Sequence, residues 1–361
     1  MTADWKKLLH VSAGPKALDR IRDSGLRPAD IGTVAGPATG PRWIVFAGID
    51  RAIALDRWLN RSPGLWLWGA SAGAWRFAAL AQEDPSSAIR LFQETYMSMR
   101  FDRAVSSTQV REELVRAMSR ILPAGQEKRE GLARGENGPR LAITTVRHRR
   151  IVQGMDRLIY IPTFFLSLLH PAACRLMLER VVFHSPPDPP PQAAEAGFPA
   201  SLVPLSGRNI EGAMLASGSV PFNVAAGQPI PGAPKGVYQD GGVLDYHVNS
   251  CLRSCPDAGM ILLITHPGRI IPRWMDRFAP WRRIEGGLTD RLVVVRPSPG
   301  ILDHLPGNRI PSRKDWETMK DQGERLALWK KALQASLPLG DVFMEAVHSG
   351  AIKNMVTALE L

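Results

Sequence analysis

The sequence predicts an α/β domain: a three-layer sandwich whose central, mainly parallel sheet lies between helices, with a helical C-terminal extension. Three observations lead there. Short apolar runs alternate with helix-compatible segments over the first 80 residues, the order expected when parallel strands are joined by crossover helices. Gly/Pro clusters bound these runs, and 32 glycines with 30 prolines predict many turns around the core. A hydrophobic fraction of 45% and a charged fraction of 22% exclude a mainly disordered chain and a coiled coil.

Taken in order, residues 16–24 have helical periodicity and end at Gly25, a C-cap residue. Residues 31–35 form a short β-prone run that opens into the turn cluster Gly36-Pro37-Ala38-Thr39-Gly40-Pro41. Pro41 suits the first turn of a helix, where a missing N–H costs nothing; that helix should run through Trp43 to about Leu59. Residues 64–68 read as a buried strand ending at Gly69-Ala70-Ser71-Ala72-Gly73, with a helix from about Ala72. Residues 85–135 read as helical, and 141–146 as a strand leading into the basic run Arg147-His148-Arg149-Arg150. The apolar run 158–169 falls short of the ~18 residues a spanning helix needs and reads as a buried or interfacial helix. A helix over 164–180, interrupted near Pro171, and a short strand at 181–183 follow. Residues 185–192 (SPPDPPPQ) are a stiff exposed loop, because proline cannot supply a ladder N–H. A helix at 210–215 leads into Ala216-Ser217-Gly218-Ser219-Val220-Pro221, and residues 236–239 enter Asp240-Gly241-Gly242. Strands are expected at 259–265 and 291–295. Ser312 with Asp315 marks a capping box for a long amphipathic helix to about Ala335. The expected division is a core over 1–270 and a mainly helical extension over 271–361 packed on it.

The net charge of +11 and a pI near 10.0 favour anionic partners: nucleic acid, anionic lipid or an acidic substrate. No nucleic-acid-binding motif accompanies the charge, so nucleic acid is not expected. Residues 273–283 (RWMDRFAPWRR) mix four arginines with large aromatics, a composition suited to a membrane interface and equally to a solvated basic face. Three cysteines exclude a disulfide framework. Cys251 and Cys255 are four apart, but no His/Cys pair completes a zinc site; buried thiols are expected, with no metal and no cofactor. The N-terminus has no apolar run of signal-peptide length. A cytoplasmic location, at most peripheral to a membrane, is the expectation.

Three segments carry chemistry. In Gly69-Ala70-Ser71-Ala72-Gly73 a serine sits on a sharp strand-to-helix turn, which needs small neighbours and leaves the hydroxyl at a helix N-terminus. The pattern alone is weakly specific; the apolar strand before it and the helical run after it raise it. Asp240-Gly241-Gly242 offers a carboxylate whose glycines let the loop approach another backbone, though Asp-Gly is also a common β-turn signature. Residues 36–43 (GPATGPRW) end a strand with a Gly-containing loop whose N–H groups suit an oxyanion or a phosphate. Their spacing matches neither GxGxxG nor GxxxxGK[ST], which disfavours a nucleotide site.

In this order the three segments resemble the patatin-like phospholipase family: a Gly-rich oxyanion loop followed by a basic residue, then GxSxG, then a distant DG[GA]. Ala38-Thr39-Gly40-Pro41-Arg42 stands in the place of the loop, with Arg42 matching and two of the three glycines replaced. Gly69–Gly73 and Asp240-Gly241-Gly242 match fully, and residues 216–221 resemble the Ala-Ser-x-x-(Ile/Val)-Pro segment before the aspartate motif. The resemblance covers roughly 15–270. It implies a Ser71–Asp240 dyad, an oxyanion hole formed by Ala38, Thr39, Gly40 and Arg42, support from Gly69, Gly73, Gly241 and Gly242, and cleavage of a lipid carboxylic ester through an acyl-enzyme. A Ser71–Asp240–His266 triad in α/β-hydrolase order is the competing mechanism, and His247 reads as a structural histidine. A short-chain ester or thioester hydrolase on the same dyad is one alternative function. A catalytically degenerate lipid-binding or scaffold protein is the other.

Overall fold

The computed structural model of the chain describes residues 5–62, 64–101, 106–136, 138–149, 165, 174–175, 177–190, 200–221, 224, 229–247, 249–252, 259–284, 286–319 and 321–360. Strands are β1 (Leu9–Ala13), β2 (Ile31–Gly36), β3 (Trp66–Ala70), β4 (Arg140–His148), β5 (Leu178–His184), β6 (Ala200–Pro204), β7 (Tyr238–Asp240), β8 (Met260–Ile264), β9 (Leu292–Pro297) and β10 (Thr357–Ala358). They form one sheet in the order β10-β1-β9-β8-β2-β3-β4-β5-β6, with β7 paired to β4. The run β9-β8-β2-β3-β4 is parallel throughout, and antiparallel pairs join β1 to β9, β4 to β5 and β4 to β7. A parallel sheet must be covered on both faces, and alternation along the strands delivers this. Val34 and Leu67 enter one apolar core, while Ala35, Trp66 and Trp68 enter a second on the opposite side. The α/β three-layer architecture is therefore as expected.

The main helices are α1 (Pro15–Ser24), α2 (Ala47–Leu55), α3 (Ala72–Leu80), α4 (Pro85–Ser98), α5 (Ser107–Ile121), α6 (Gln126–Arg134), α7 (Ile210–Ser217) and α8 (Gln322–His348). Gly25 ends α1 at φ 79°, as read. Several local expectations change. The helix foreseen from Pro41 to Leu59 is a 3₁₀ stretch, Gly40–Phe46, before α2, which ends at Leu55. Of the basic run, Arg147 and His148 belong to β4 itself, and Arg150 lies outside the described residues. Arg147 pairs with Glu179, and His148 lies inside the strand at 2% exposure. Residues 178–180, assigned to a helix, belong to β5. The apolar run 158–169 lies outside the described residues except Phe165, as do most of the helix read over 164–180 and residues 191–192 of the proline loop. Ser312 N–H does donate to Asp315 (3.1 Å), but the helix it opens is only Lys314–Thr318; α8 starts afresh on an Asp321 cap and continues past Pro338. Strands β1 and β6 were missed. Their sequences, LHVSA and ASLVP, are only five residues each, too short for periodicity to set them apart from loop.

Residue 270 falls between β8 and β9, which are hydrogen-bonded parallel neighbours. Residues 271–361 thus supply an internal strand of the sheet, and α8 lies against α2, where a Cβ on Gly48 would stand 2.1 Å from the Ser336 carbonyl. A second anchor joins α2 to α3: Arg76 makes a two-pronged pair with Asp50 (2.8 and 2.6 Å), both fully buried, under the Phe46 ring. Removing one partner strands a buried charge. Asp50→Ala should cost about 3–5 kcal/mol in denaturant unfolding, and Asp50→Ala/Arg76→Met should recover much of that loss.

Candidate active site

The site is built where β2 and β3 end side by side, at the carboxyl edge of the parallel strands, where open α/β sheets bind their ligands. Chain direction reverses sharply at Ser71, which has φ 54° and ψ −129°. A side-chain-bearing residue enters that region only when its surroundings enforce it. Both flanking glycines do so. A Cβ at Gly69 would meet Ala74 N at 2.6 Å, and one at Gly73 would lie 2.0 Å from the Gly36 carbonyl oxygen. The Ser71 N–H donates to Ser217 Oγ (2.9 Å), whose own hydroxyl donates to the Thr144 carbonyl (2.7 Å). Ser217, in α7, therefore pins the turn to β4. The sequence reading noted its segment without giving it a task.

Ser71 Oγ donates to Asp240 Oδ2 at 2.6 Å, and the Gly242 N–H donates to Oδ1 at 2.7 Å. Ser71 and Asp240 are 8% and 6% exposed. Burial pushes the Asp240 carboxyl up to about 6, against the opposing pull of the Ser71 and Gly242 hydrogen bonds and the Arg313 charge. Desolvation disfavours the anion and so moves this carboxyl toward the range of a useful base. The glycines after Asp240 are required by space: a Cβ on Gly241 would lie 2.2 Å from the Thr144 carbonyl, and one on Gly242 would lie 2.4 Å from Ala38 Cβ.

The 36–42 loop meets both motifs, its Gly36–Pro37 backbone against Gly73 and its Ala38 against Gly242. Beyond the end of β2, three of its amides are engaged, that of Arg42 by the Thr39 carbonyl (3.3 Å). Ala38 N–H donates to the Tyr246 carbonyl (2.7 Å) and Thr39 N–H to the Pro37 carbonyl (2.8 Å). Gly40, at φ 53°, donates no backbone hydrogen bond among the described residues. Arg42 Nη1 donates to Tyr246 Oη (3.3 Å). Tyr246, which sequence reasoning did not single out, thus holds the loop by its carbonyl and Arg42 by its phenol. Tyr96, packed between Trp43, Trp75 and Trp316, is close enough for the Asp240 charge to raise its phenol further than burial alone. Neither it nor Arg313 carried any motif.

The histidines have other partners. His247 Nδ1 lies 2.9–3.0 Å from the Ile271 backbone, and His266 Nδ1 lies 2.6 Å from the Pro267 carbonyl; the two rings are 6.3 Å apart. Burial drives His247 down to about 3 and His266 down to about 4, so both are neutral at physiological pH. Among the described residues no His/Cys/Asp/Glu group could hold a metal ion. Cys251 is a buried thiol pushed up by desolvation, and Cys255 is outside the described residues. No helix among the described residues is long and apolar enough to cross a membrane.

Fold and site together define an α/β protein with a buried serine hydroxyl hydrogen-bonded to a carboxylate at the carboxyl edge of its sheet. The chain matches no protein-family model and no curated protein sequence. Two solved structures to which it is similar are the following. Human GIVD cytosolic phospholipase A2 is 10% identical with a TM-score of 0.42, over 97% of this chain and 66% of that one. VipD from Legionella pneumophila is 13% identical with a TM-score of 0.34, over 93% and 70%. This chain thus spans slightly less than two thirds of the phospholipase. At such identities the chemistry of the site has to carry the functional argument.

Proposed function

We propose that the chain is a serine lipid acyl hydrolase of patatin-like type, acting on a carboxylic ester of a phospholipid or lysophospholipid through a Ser71–Asp240 dyad. The observation that carries this is the 2.6 Å hydrogen bond from Ser71 Oγ to Asp240 Oδ2 at an enforced strand-to-helix turn. Asp240 accepts the hydroxyl proton as Ser71 Oγ attacks the ester carbonyl. The tetrahedral oxyanion is held by the Gly40 N–H and by the amides that open α3, where the helix dipole favours negative charge. The alcohol leaves with a proton returned from Asp240, and water, deprotonated by the same carboxylate, releases the acyl group. The neutral, backbone-bonded His266 and His247 favour the dyad over a triad.

A second reading has one observation in its favour. Ala38 and Thr39 N–H groups are already engaged, which leaves fewer oxyanion donors than the family loop supplies and fits a lipid-binding protein with little turnover. One experiment separates the two: incubate the purified chain with a fluorescent alkyl phosphonate and with a panel of phospholipids, lysophospholipids and short-chain esters. Labelling of Ser71 with release of fatty acid supports the hydrolase. Labelling without any turnover supports the degenerate reading, and absence of both refutes the nucleophile. The pH profile is a further check. A base ionising near 6 is protonated and idle below that value, so kcat/KM should rise through pH 6 and level off above about 7. A profile flat from pH 4 to 8 contradicts Asp240 as the base.

A further inference from the structure

Seven large hydrophobic side chains are strongly exposed among the described residues, and three of them lie within eight positions: Trp274 (39%), Phe278 (51%) and Trp281 (69%). The loop that bears them is braced. Arg269 donates to the carbonyls of Asp276 and Pro280 (2.7 Å each) and of Ala279 and Arg282 (3.3 Å each). Buried Asp276 accepts from the Arg273 N–H (3.2 Å) and pairs with Arg282 (3.1 Å). Met275 and Asp276 point into the protein while Trp274, Arg277 and Phe278 point out. The Arg277 guanidinium lies 4.6 Å over the Trp274 ring and 5.1 Å over Phe278, and those two rings meet edge to face. Residues 269–283 hold five arginines and, among the described acidic groups, only the buried Asp276.

The loop also adjoins the site. The Pro272 carbonyl, just before it, accepts from the Tyr246 N–H (2.8 Å), and the Tyr246 carbonyl accepts from Ala38 N–H (2.7 Å). Met275 shares a small core with Val243 and Leu244, three and four residues beyond Asp240.

We propose that the Trp274–Phe278–Trp281 loop is a membrane-docking surface that inserts into the headgroup region of an anionic bilayer and faces the 36–42 loop toward it. Aromatic groups favour the depth between headgroups and acyl chains, and arginines beside them meet lipid phosphates. A rigid loop loses little conformational freedom on insertion. Single-stranded nucleic acid is the other polyanion with an appetite for aromatics, but base stacking uses open ring faces. Here Arg277 takes one face of each of two rings. Docking does not depend on hydrolysis, so it stands or falls separately from the function proposed above.

The test uses the full chain with vesicles of phosphatidylcholine, with and without phosphatidylserine, by co-sedimentation. Binding should require phosphatidylserine and weaken steeply between low and physiological salt. Trp274→Ala/Phe278→Ala/Trp281→Ala should bind at least about tenfold more weakly. Leu55→Ala/Leu91→Ala, which removes exposed apolar groups elsewhere, should leave binding unchanged. Should the triple variant misfold, Trp281→Phe answers by itself. Lipids brominated in the upper acyl chain should quench wild-type tryptophan emission, and much of that quenching should vanish in Trp281→Phe. Unchanged vesicle binding by the folded triple variant overturns the proposal. So does equal quenching in Trp281→Phe, or loop variants that lose single-stranded DNA binding while keeping vesicle binding.

Discussion

Ser71→Ala should leave a folded protein with at least about a thousandfold less ester hydrolysis and no phosphonate adduct. The hydroxyl touches one partner, Asp240, and the residue is 8% exposed, so little packing is lost with the one oxygen. The backbone at Ser71 adds an internal control. At φ 54° and ψ −129° any residue with a Cβ holds strain of about 1–3 kcal/mol, which glycine does not. Ser71→Gly should therefore be equally inactive but more stable than Ser71→Ala by about 1 kcal/mol in denaturant melts, part of the relief being offset by glycine's larger unfolded-state entropy. A Ser71→Ala protein that keeps more than a few per cent of wild-type rate would show the reaction to use another nucleophile.

Asp240→Asn should remove nearly all activity while His266→Ala and His247→Ala each keep most of it. An amide cannot accept the Ser71 proton, whereas neither imidazole has a hydrogen bond to Ser71 or Asp240. A triad would demand the reverse: His266→Ala as damaging as Ser71→Ala. A thousandfold loss in folded His266→Ala would eliminate the dyad. Asp240→Asn also bears on stability, and the sign follows from the raised carboxyl. Between the ordinary 3.8 and about 6, the folded state binds more protons than the unfolded state. Wild-type stability therefore falls as pH rises through that window and is constant above it. The asparagine has no such loss and can keep hydrogen bonds to both Ser71 and Gly242. Asp240→Asn should thus gain on wild type from pH 4 to 7, by up to about 3 kcal/mol if the full shift is expressed. An inactive variant that is also stabilised at neutral pH would mark the carboxylate as a strained functional group; one destabilised at pH 7 would mark it as structural.

Local rules along the chain reach the centre of this fold and the turns of its site. Strands β2, β3, β4, β8 and β9 are short runs of apolar residues bounded by Gly or Pro, and they are the parallel centre of the sheet. The turn at Ser71 was legible because only small residues fit it: Gly69 and Gly73 would collide with Ala74 and Gly36 if they carried a Cβ. Asp240-Gly241-Gly242 was legible for the same reason. The rest follows from contacts between segments far apart along the chain. Tertiary structure inserted β9 between β1 and β8, so that one strand of the segment read as a mainly helical extension packed on the core lies inside the sheet. Strand order depends on which edges meet after collapse and leaves no periodic trace along the chain. Ser217 and Arg313 reach the site from distant segments, and Tyr246 holds the 36–42 loop through both its carbonyl and its phenol, contacts that no spacing encodes. The basic character shows the same limit. A net charge of +11 says that cations are in excess, but burial and partners assign each one. Arg76 was drawn into the core with Asp50 and Arg147 onto Glu179, while Arg277 was left at the surface over two exposed rings, because a charge can be buried only where a counter-charge is delivered to meet it.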